Sequence, residues 1–529
     1  MSRAWRGPAA ASPRHAALRL AAAFAAGAAL NLAFAPLSWW PVGLIAPAAL
    51  FALIRGLPPR RAAWGGAAFG VGLFAVGTYW LYTCLHIFGL VPVWLTVLLQ
   101  AALVAIMAAY TAALCFVANR FWLDPGITRE WLVLPALWVV LEWLRGWAFS
   151  GFPWLSLGYA FIDSPLAGWA PVFGVYGVTW IAVLAASGLG TFVMPGALAA
   201  RPSSASPPIA ARTAAVRTFA VRAIAVAVLA ALFVASGLVG RRQWTRPAGA
   251  RIPIAAVQGA VSQDRKWQID NRDATMARYQ TLTDQAWGAR LIVWPESALP
   301  VLANDIPDYL QNLRTTARAH DADFAIGLVN YEPATSRYFN GLLVMNQDGD
   351  GWYYKRHLVP FGEYFPVPAF VRSWMRLMSL PYDDISAGSE HQPVLRAAGQ
   401  SLGLTICYED AFGSSQLDVL RDATLLINVT NNAWYGDSTA PHQHLQIARM
   451  RALEAGRFLI RAANDGITAV IGPHGGLAAK LPQFKEAVLR TDVQPLTGLT
   501  PYARVGNYPV VGAALGLLAL ALRRRRAGD

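Results

Sequence analysis

The chain has 529 residues, room for two or three domains at roughly 150 residues each. Apolar residues make up 55%, charged residues only 14%, and 21 are tryptophan; a water-soluble chain carries about 25% charged residues, so a purely soluble protein is excluded. The net charge of +14 does not signal nucleic acid, because the arginines punctuate apolar runs and do not gather with aromatics on one face.

Apolar segments recur at 16–35, 39–54, 62–83, 91–119, 131–149, 169–193, 221–239 and 508–522. Most reach the ~20 residues a helix needs to cross a bilayer; the second and last are short. Arg3, Arg6 and Arg14 precede the first segment, and Arg55, Arg60 and Arg61 follow the second. Arg120 and Arg129 follow the fourth, Arg201, Arg212 and Arg217 the sixth, and Arg523 to Arg526 the last. The connections at 36–38, 84–90 and 150–168 hold no Lys or Arg. By the positive-inside rule, about eight spans with both termini in the cytoplasm satisfy all of this. That divides the chain into a bundle of seven transmembrane helices at 1–240, an outer domain at 241–507, and a last helix with a basic cytoplasmic tail at 508–529. The stretch 201–213, rich in Ser, Pro and Ala, reads as a cytoplasmic loop. A second reading of the start remains open: arginines, an apolar stretch and Ala33-Phe34-Ala35 also resemble a cleavable signal peptide. On the fifth span Glu142 and Arg145 share a helix face, either as a functional intramembrane pair or as an anchor near the span's end.

Region 241–507 has a different pattern. Short β-rich runs (Ile252–Val257, Leu291–Trp294, Phe324–Val329, Gly341–Met345, Leu402–Ile406, Leu425–Val429) alternate with helical stretches such as Ala274–Trp287 and Gln443–Ala455. The alternation predicts an α/β domain with a buried sheet. Phe365–Leu380 mixes aromatics and aliphatics with Arg372 and Arg376; it suits a lipid interface over an active-site mouth and equally an ordinary core segment.

The cysteines are Cys84, Cys115 and Cys407, an odd, sparse set that makes neither a disulfide framework nor a zinc site. His442 and His444 lack Cys, Asp or Glu partners at ligand spacing, so no metal is expected there. Only Cys407 falls in the soluble-looking region, directly after Leu402–Ile406. Glu296 follows Leu291–Pro295, and Lys355 lies among Trp352, Tyr353 and Tyr354. A thiol needs a base to become a nucleophile, a nearby ammonium favours the sulfur anion, and the same ammonium can stabilise an oxyanion. Taken singly, each has a bland explanation: a packed cysteine, a turn glutamate, a surface lysine with a buried stem. Spacing alone does not show that they meet.

Trp294-Pro295-Glu296, the Lys355 segment and Cys407-Tyr408-Glu409 resemble, in order, the Glu–Lys–Cys signatures of the nitrilase superfamily. The run Lys355–Tyr364, together with Asn431–Gly436, Arg449–Glu454, Asn464–Pro473 and Thr497–Tyr502, is similar to the apolipoprotein N-acyltransferases, over nearly the whole chain. The resemblance implies a polytopic α-helical membrane domain joined to a nitrilase-like αββα sandwich, in the inner membrane of a bacterium with the catalytic domain in the periplasm. It implies Glu296 as general base, Lys355 as oxyanion-stabilising cation and Cys407 as nucleophile, with Glu363 a second essential carboxylate, Tyr408 and Glu409 shaping the nucleophile's turn, and Trp267 functionally important. The implied reaction is the last step of lipoprotein maturation. An sn-1 acyl group leaves a phospholipid, phosphatidylethanolamine, for a Cys407 thioester and then passes to the N-terminal amine of a diacylglyceryl apolipoprotein. No cofactor is expected, since the ester is already activated; the partners are the two lipid substrates and the bilayer. Two rivals are a membrane-anchored amidase using the same triad on small amides, and a transporter or scaffold with no chemistry at all.

Overall fold

The computed structural model describes residues 13–123, 126, 128–193, 223, 226–360, 362–364 and 385–528. The expected loop 201–213, the stretch Phe365–Leu380, and Arg3, Arg6, Arg201, Arg212 and Arg217 lie outside the described residues. The chain divides into two compact units, one of residues 1–169, 175–241 and 507–529, the other of 170–174 and 242–506.

The first unit is helical: α1 (Pro13–Leu30), α2 (Val42–Ile54), α3 (Pro59–Gly77), α4 (Val93–Phe121), α5 (Leu134–Arg145), most of α6 (Ala170–Val193), α7 (Val226–Gly240) and the C-terminal helix Tyr508–Gly528. Prolines 59 and 135 sit in the first turns of α3 and α5, where a missing N–H breaks no helical bond. Close packing of α3 on α4 depends on small residues. A Cβ on Gly66 would come within 2.3 Å of the Thr111 carbonyl oxygen, and one on Gly70 within 2.6 Å of the Ala108 Cα. Such approach is how helices associate where lipid offers no hydrophobic drive.

Among the described residues, three helical stretches are long and apolar enough to cross a membrane, namely Pro13–Ala33, Val93–Phe121 and Pro165–Leu189, while α2 and α7 are apolar but shorter. Two expected spans are interrupted. The segment 62–83 breaks in a turn after Gly77 and becomes helical again only at its end, running into a π-helical turn at Thr83–Phe88, and 131–149 is a π-helical turn at Thr128–Val133 followed by α5. Glu142 and Arg145 spend their polar atoms mainly on the chain that follows α5. Glu142 accepts from the Trp138 indole, the Leu157 N–H and the Thr179 hydroxyl; Arg145 donates to the Phe152 and Trp154 carbonyls and to Ser156. They anchor that segment to the helix.

Among its described residues the second unit contains a two-stranded ribbon, β1 (Arg246–Pro247) with β14 (Leu496–Thr497), and two six-stranded sheets. In one, parallel strands β2 (Ile252–Gln258), β3 (Leu291–Trp294) and β4 (Asp323–Glu332) are flanked by antiparallel β13 (Ala487–Val493), β5 (Arg337–Met345) and β6 (Asp350–Tyr354), in the order β13-β2-β3-β4-β5-β6. In the other, parallel β8 (Gln400–Ile406), β9 (Leu425–Thr430) and β10 (Leu459–Ala463) are flanked by antiparallel β7 (Leu395–Ala397), β11 (Ala469–Ile471) and β12 (Leu477–Lys480), in the order β12-β11-β10-β9-β8-β7. The parallel strands are buried on both faces, which is why they read as continuous apolar runs.

Alternate residues sort the layers. Ile254, Ala256, Leu291 and Val293 meet Leu404, Ile406, Leu425 and Ile427 between the sheets. Ala255, Val257, Ile292 and Trp294 face outward onto α8 (Arg272–Asp284) and α9 (Pro307–Ala319) through Tyr279, Leu282, Leu313 and Ala317. Leu426, Leu459 and Ile471 pack on the opposite outer layer against Leu445, Ala448 and Ala452 of α10 (Ala440–Ala455). The result is a helix–sheet–sheet–helix sandwich. Its parallel strands all end on one side, and Glu296, Cys407 and Asn431 lie just past the ends of β3, β8 and β9.

Candidate active site

Glu296 is placed by how β3 stops. Pro295 has no N–H for the ladder, so the chain leaves the sheet with Glu296 at its end. Gly327 of β4 lies against this turn: a Cβ there would stand 2.3 Å from the Pro295 oxygen and 2.6 Å from the Glu296 Cα. Both clashes are with backbone, so Gly327→Ala must displace Glu296. We expect it to cost about 1–3 kcal/mol, by analogy with overpacking in other cores, seen as a lower melting midpoint. An unchanged midpoint would show that the approach is not required.

Lys355, just past β6, is tied back to β5 by its N–H on the Asn340 oxygen (2.9 Å). Its Nζ lies 3.2 Å from Glu296 Oε1 and 2.9 Å from Glu363 Oε1. The Asn340 side-chain amide donates to those same two oxygens, at 2.7 and 2.8 Å. A buried carboxylate and a partly buried one thus share one ammonium and one amide. The second oxygen of Glu296 accepts the Asn431 N–H at 2.7 Å, and that of Glu363 the Val359 N–H at 2.8 Å.

Cys407 begins a tight turn directly after β8, with φ of +52°, a backbone conformation that costs a non-glycine residue free energy. Side chains around it hold this turn. Glu409 accepts the N–H groups of Ile406, Arg356 and His357 and the Tyr353 hydroxyl, so one carboxylate joins the Cys407 turn to the segment after Lys355. The Cys407 carbonyl meets His444 Nε2 at 3.0 Å and the Asn428 amide at 3.4 Å. Under it, fully buried Arg461 reaches Asp410, Asn428 and Asn432. Tyr408 is buried against Phe412, ring centroids 5.1 Å apart.

Burial works against the charge on Glu296, yet the Lys355 ammonium and the amides of Asn340 and Asn431 outweigh it and hold its pKa below the ordinary value. Burial likewise disfavours the Lys355 cation, but Glu296, Glu363 and Cys407 raise it well above its ordinary value. The thiol is pushed up to about 12, first by burial and then by the Glu296 carboxylate, against the opposing pull of Lys355 and Thr430. Lys355 favours the sulfur anion, but in the resting site burial and the Glu296 carboxylate outweigh it. The favoured state is a neutral thiol beside an ionised Glu296, and a thiolate arises only if that carboxylate takes the proton.

Of the sequence candidates, the structure brings Glu296, Lys355, Glu363 and Cys407 into one cluster, with Glu409 and Tyr408 at its turn. Trp267 stands apart. Its indole is half-exposed, and no hydrogen bond or ring contact among the described residues links it to Cys407. His444 uses both ring nitrogens, on Cys407 and Asn432. Sequence reasoning missed Asn340, Lys266, Asn428 and Arg461; a polar residue inside an apolar strand, as at 340, 428 and 461, was the available signal.

Two mixed sheets packed face to face, with a Glu–Lys–Cys cluster past the strand ends, define a carbon-nitrogen hydrolase domain: residues 253–502 match the family model described as Carbon-nitrogen hydrolase. Residues 26–188 match a second model, the apolipoprotein N-acyltransferase N-terminal domain. The chain is 39% identical to the apolipoprotein N-acyltransferase of Methylococcus capsulatus over 95% of its own length and 96% of that protein. It is 39% identical to that of Azotobacter vinelandii (96% and 95% covered) and 41% identical to that of Ralstonia nicotianae (97% and 95% covered). The chain belongs to the apolipoprotein N-acyltransferase family. It is an acyltransferase and a bacterial membrane protein, with several apolar helices beside its nitrilase-like domain.

Proposed function

We propose that the chain moves the sn-1 fatty acyl group of a phospholipid, phosphatidylethanolamine, to the N-terminal α-amine of an S-diacylglyceryl-cysteine apolipoprotein, through a thioester on Cys407. The observation that carries this reading is the cluster itself: a strained, buried cysteine in the field of a low-pKa carboxylate and a shared ammonium. Glu296 takes the thiol proton as sulfur attacks the ester carbonyl. Lys355 stabilises the oxygen that becomes negative, in a site where burial strengthens every charge interaction. The intermediate collapses when Glu296 returns the proton to the departing glycerol oxygen, giving thioester and lysophospholipid. In the second half the apolipoprotein amine attacks the thioester, Glu296 accepts a proton from nitrogen, and the thiol leaves with it. Glu363 keeps Lys355 aligned, and Glu409 keeps the Cys407 turn in register with the Lys355 segment. Trp267 would act on bound substrate from the exposed surface.

In this reading about eight spans set the chain in the inner membrane, with 1–240 and 508–529 as membrane parts, 241–507 in the periplasm and both termini in the cytoplasm. Both substrates carry acyl chains, so a reacting domain tethered at the bilayer suits them. The test is incubation of purified protein with acyl-labelled phosphatidylethanolamine, followed by peptide mass spectrometry. The expected result is acyl mass on Cys407, discharged by a diacylglyceryl peptide. Acyl mass elsewhere or none, or lipid-independent turnover of small amides, would overturn it.

A further inference from the structure

A second buried cation approaches Glu296 from its main-chain side. Lys266 ends the short helical turn Gln263–Lys266 and is fully buried, although its neighbours Trp267 and Ile269 are exposed. Its Nζ donates to the Glu296 carbonyl oxygen at 3.4 Å, and the carboxylates that act on it are those of Glu296 and Asp465. Asp465 is buried beyond the end of β10, and its Oδ1 has no hydrogen-bond partner among the described residues. The segment carrying it is fixed: the Asn464 amide donates to Val261 and to Asn431, and the Asp465 carbonyl accepts the Phe484 N–H. A fully buried lysine is uncommon, because desolvating an ammonium is costly unless partners compensate. Here the partners are the candidate base and a second buried carboxylate.

We propose that Lys266 is a positioning residue of the reacting centre: it fixes the Glu296 main chain, adds a second positive charge to the Glu296–Cys407 pair, and uses Asp465 as counter-ion. The attraction between Lys266 and Glu296 is mutual. Glu296 favours the Lys266 cation, so Lys266 in turn favours the Glu296 anion, behind the larger pull of Lys355 and the Asn340 and Asn431 amides. The groups facing Glu296 are Lys355, Lys266, Cys407 and Arg461, with Glu363 sharing its Asn340 amide; those facing Lys266 are Glu296 and Asp465; those facing Asp465 are Lys266 and Tyr279. Burial draws Lys266 down to about 8 against the pull of Glu296 and Asp465, and pushes Asp465 up to about 7 against the pull of Lys266.

The inference rests on Glu296 and Cys407 being the reacting pair, and its test needs no lipid. Iodoacetamide alkylation of Cys407 in the full-length protein, followed by peptide-resolved mass spectrometry that separates Cys84 and Cys115, reports proton loss from the pair along its rising limb, read between about pH 7 and about pH 8, where Asp465 is anionic and Lys266 cationic. Without the cation, the protonated pair is favoured. Lys266→Met should therefore move the alkylation limb upward by about one pH unit, roughly a tenfold slower reaction at a fixed pH on that limb, while Lys266→Arg stays near wild type. Asp465→Asn removes a negative charge and should move the limb downward. Opposite shifts separate electrostatics from general loosening of the site. A limb unmoved in folded Lys266→Met, or moved upward in both Lys266→Met and Asp465→Asn, overturns the proposal. If Lys266→Met does not fold, Asp465→Asn decides alone: a downward shift supports the proposal, and no shift or an upward one overturns it. Failure of the acyl-enzyme experiment on wild-type protein would instead count against the acyltransfer reading.

Discussion

Cys407→Ser is expected to lower acyl-enzyme formation by at least about 10⁴-fold while leaving the protein folded. The substitution changes one atom, so the left-handed backbone at 407 and the four hydrogen bonds on Glu409 have no reason to move. What changes is acidity. Glu296 is held below its ordinary pKa, which makes it a weak base suited to a proton that leaves as sulfur attacks. An alcohol is far less acidic than a thiol, and a buried alkoxide has a larger desolvation penalty. Release of labelled lysophospholipid measures the loss, and Glu296→Gln is expected to approach it. Because the two residues act as a unit, the double variant should be little worse than either single one. A Cys407→Ser protein retaining a tenth of wild-type release, or multiplicative losses in the double variant, would show that sulfur and carboxylate do not work together.

The sequence makes the individual residues of this pair visible but not their meeting. Leu402–Ile406 is apolar and short, so Cys407 can be placed at the end of a buried strand, and Leu291–Trp294 does the same for Glu296. Pattern alone does not say that β3 and β8 belong to different sheets whose strand ends converge, nor that Lys355 returns to Glu296 across 59 residues. Those facts depend on sheet order and on the apolar layer between the sheets, which composition does not encode. Asn340 was hidden for a local reason: the strand was read from Gly341, whereas β5 starts at Arg337 and carries Asn340 inside it. Lys266 was hidden by its neighbours, since a lysine beside an exposed Trp267 reads as surface. In the helical unit, hydropathy located apolar stretches but not the ends of their helices. The turn after Gly77 and the π-helical turn at Thr128–Val133 are backbone events inside runs of suitable composition.

Lys355→Met should be the most damaging single change for stability, and its cost should depend on pH. The methionine fits the space of the lysine stem but leaves the Glu296 and Glu363 carboxylates on one Asn340 amide without the ammonium they share. Removing one partner of a buried ion pair typically costs about 3–5 kcal/mol. In the wild type, the lowered pKa of Glu296 contributes stability above the ordinary carboxylate value, and this is lost as pH falls through the folded-state value. The raised pKa of Lys355 contributes stability that is fully present below 10.5, so the ammonium contributes throughout the acidic and neutral range. In the variant, burial is left to dominate Glu296 and raises its pKa, which reverses the sign: the folded state then gains from protonation and loses stability as pH rises. The gap between wild-type and variant melting midpoints should therefore be wide at pH 8 and narrow towards pH 5. Adding Glu363→Gln should recover part of the stability and none of the acyl transfer, because the oxyanion would still lack its cation, a loss of about 10²–10³ in rate by comparison with deleted oxyanion donors. A melting gap that stays constant across this pH range would mean that Lys355 does not compensate the buried carboxylates.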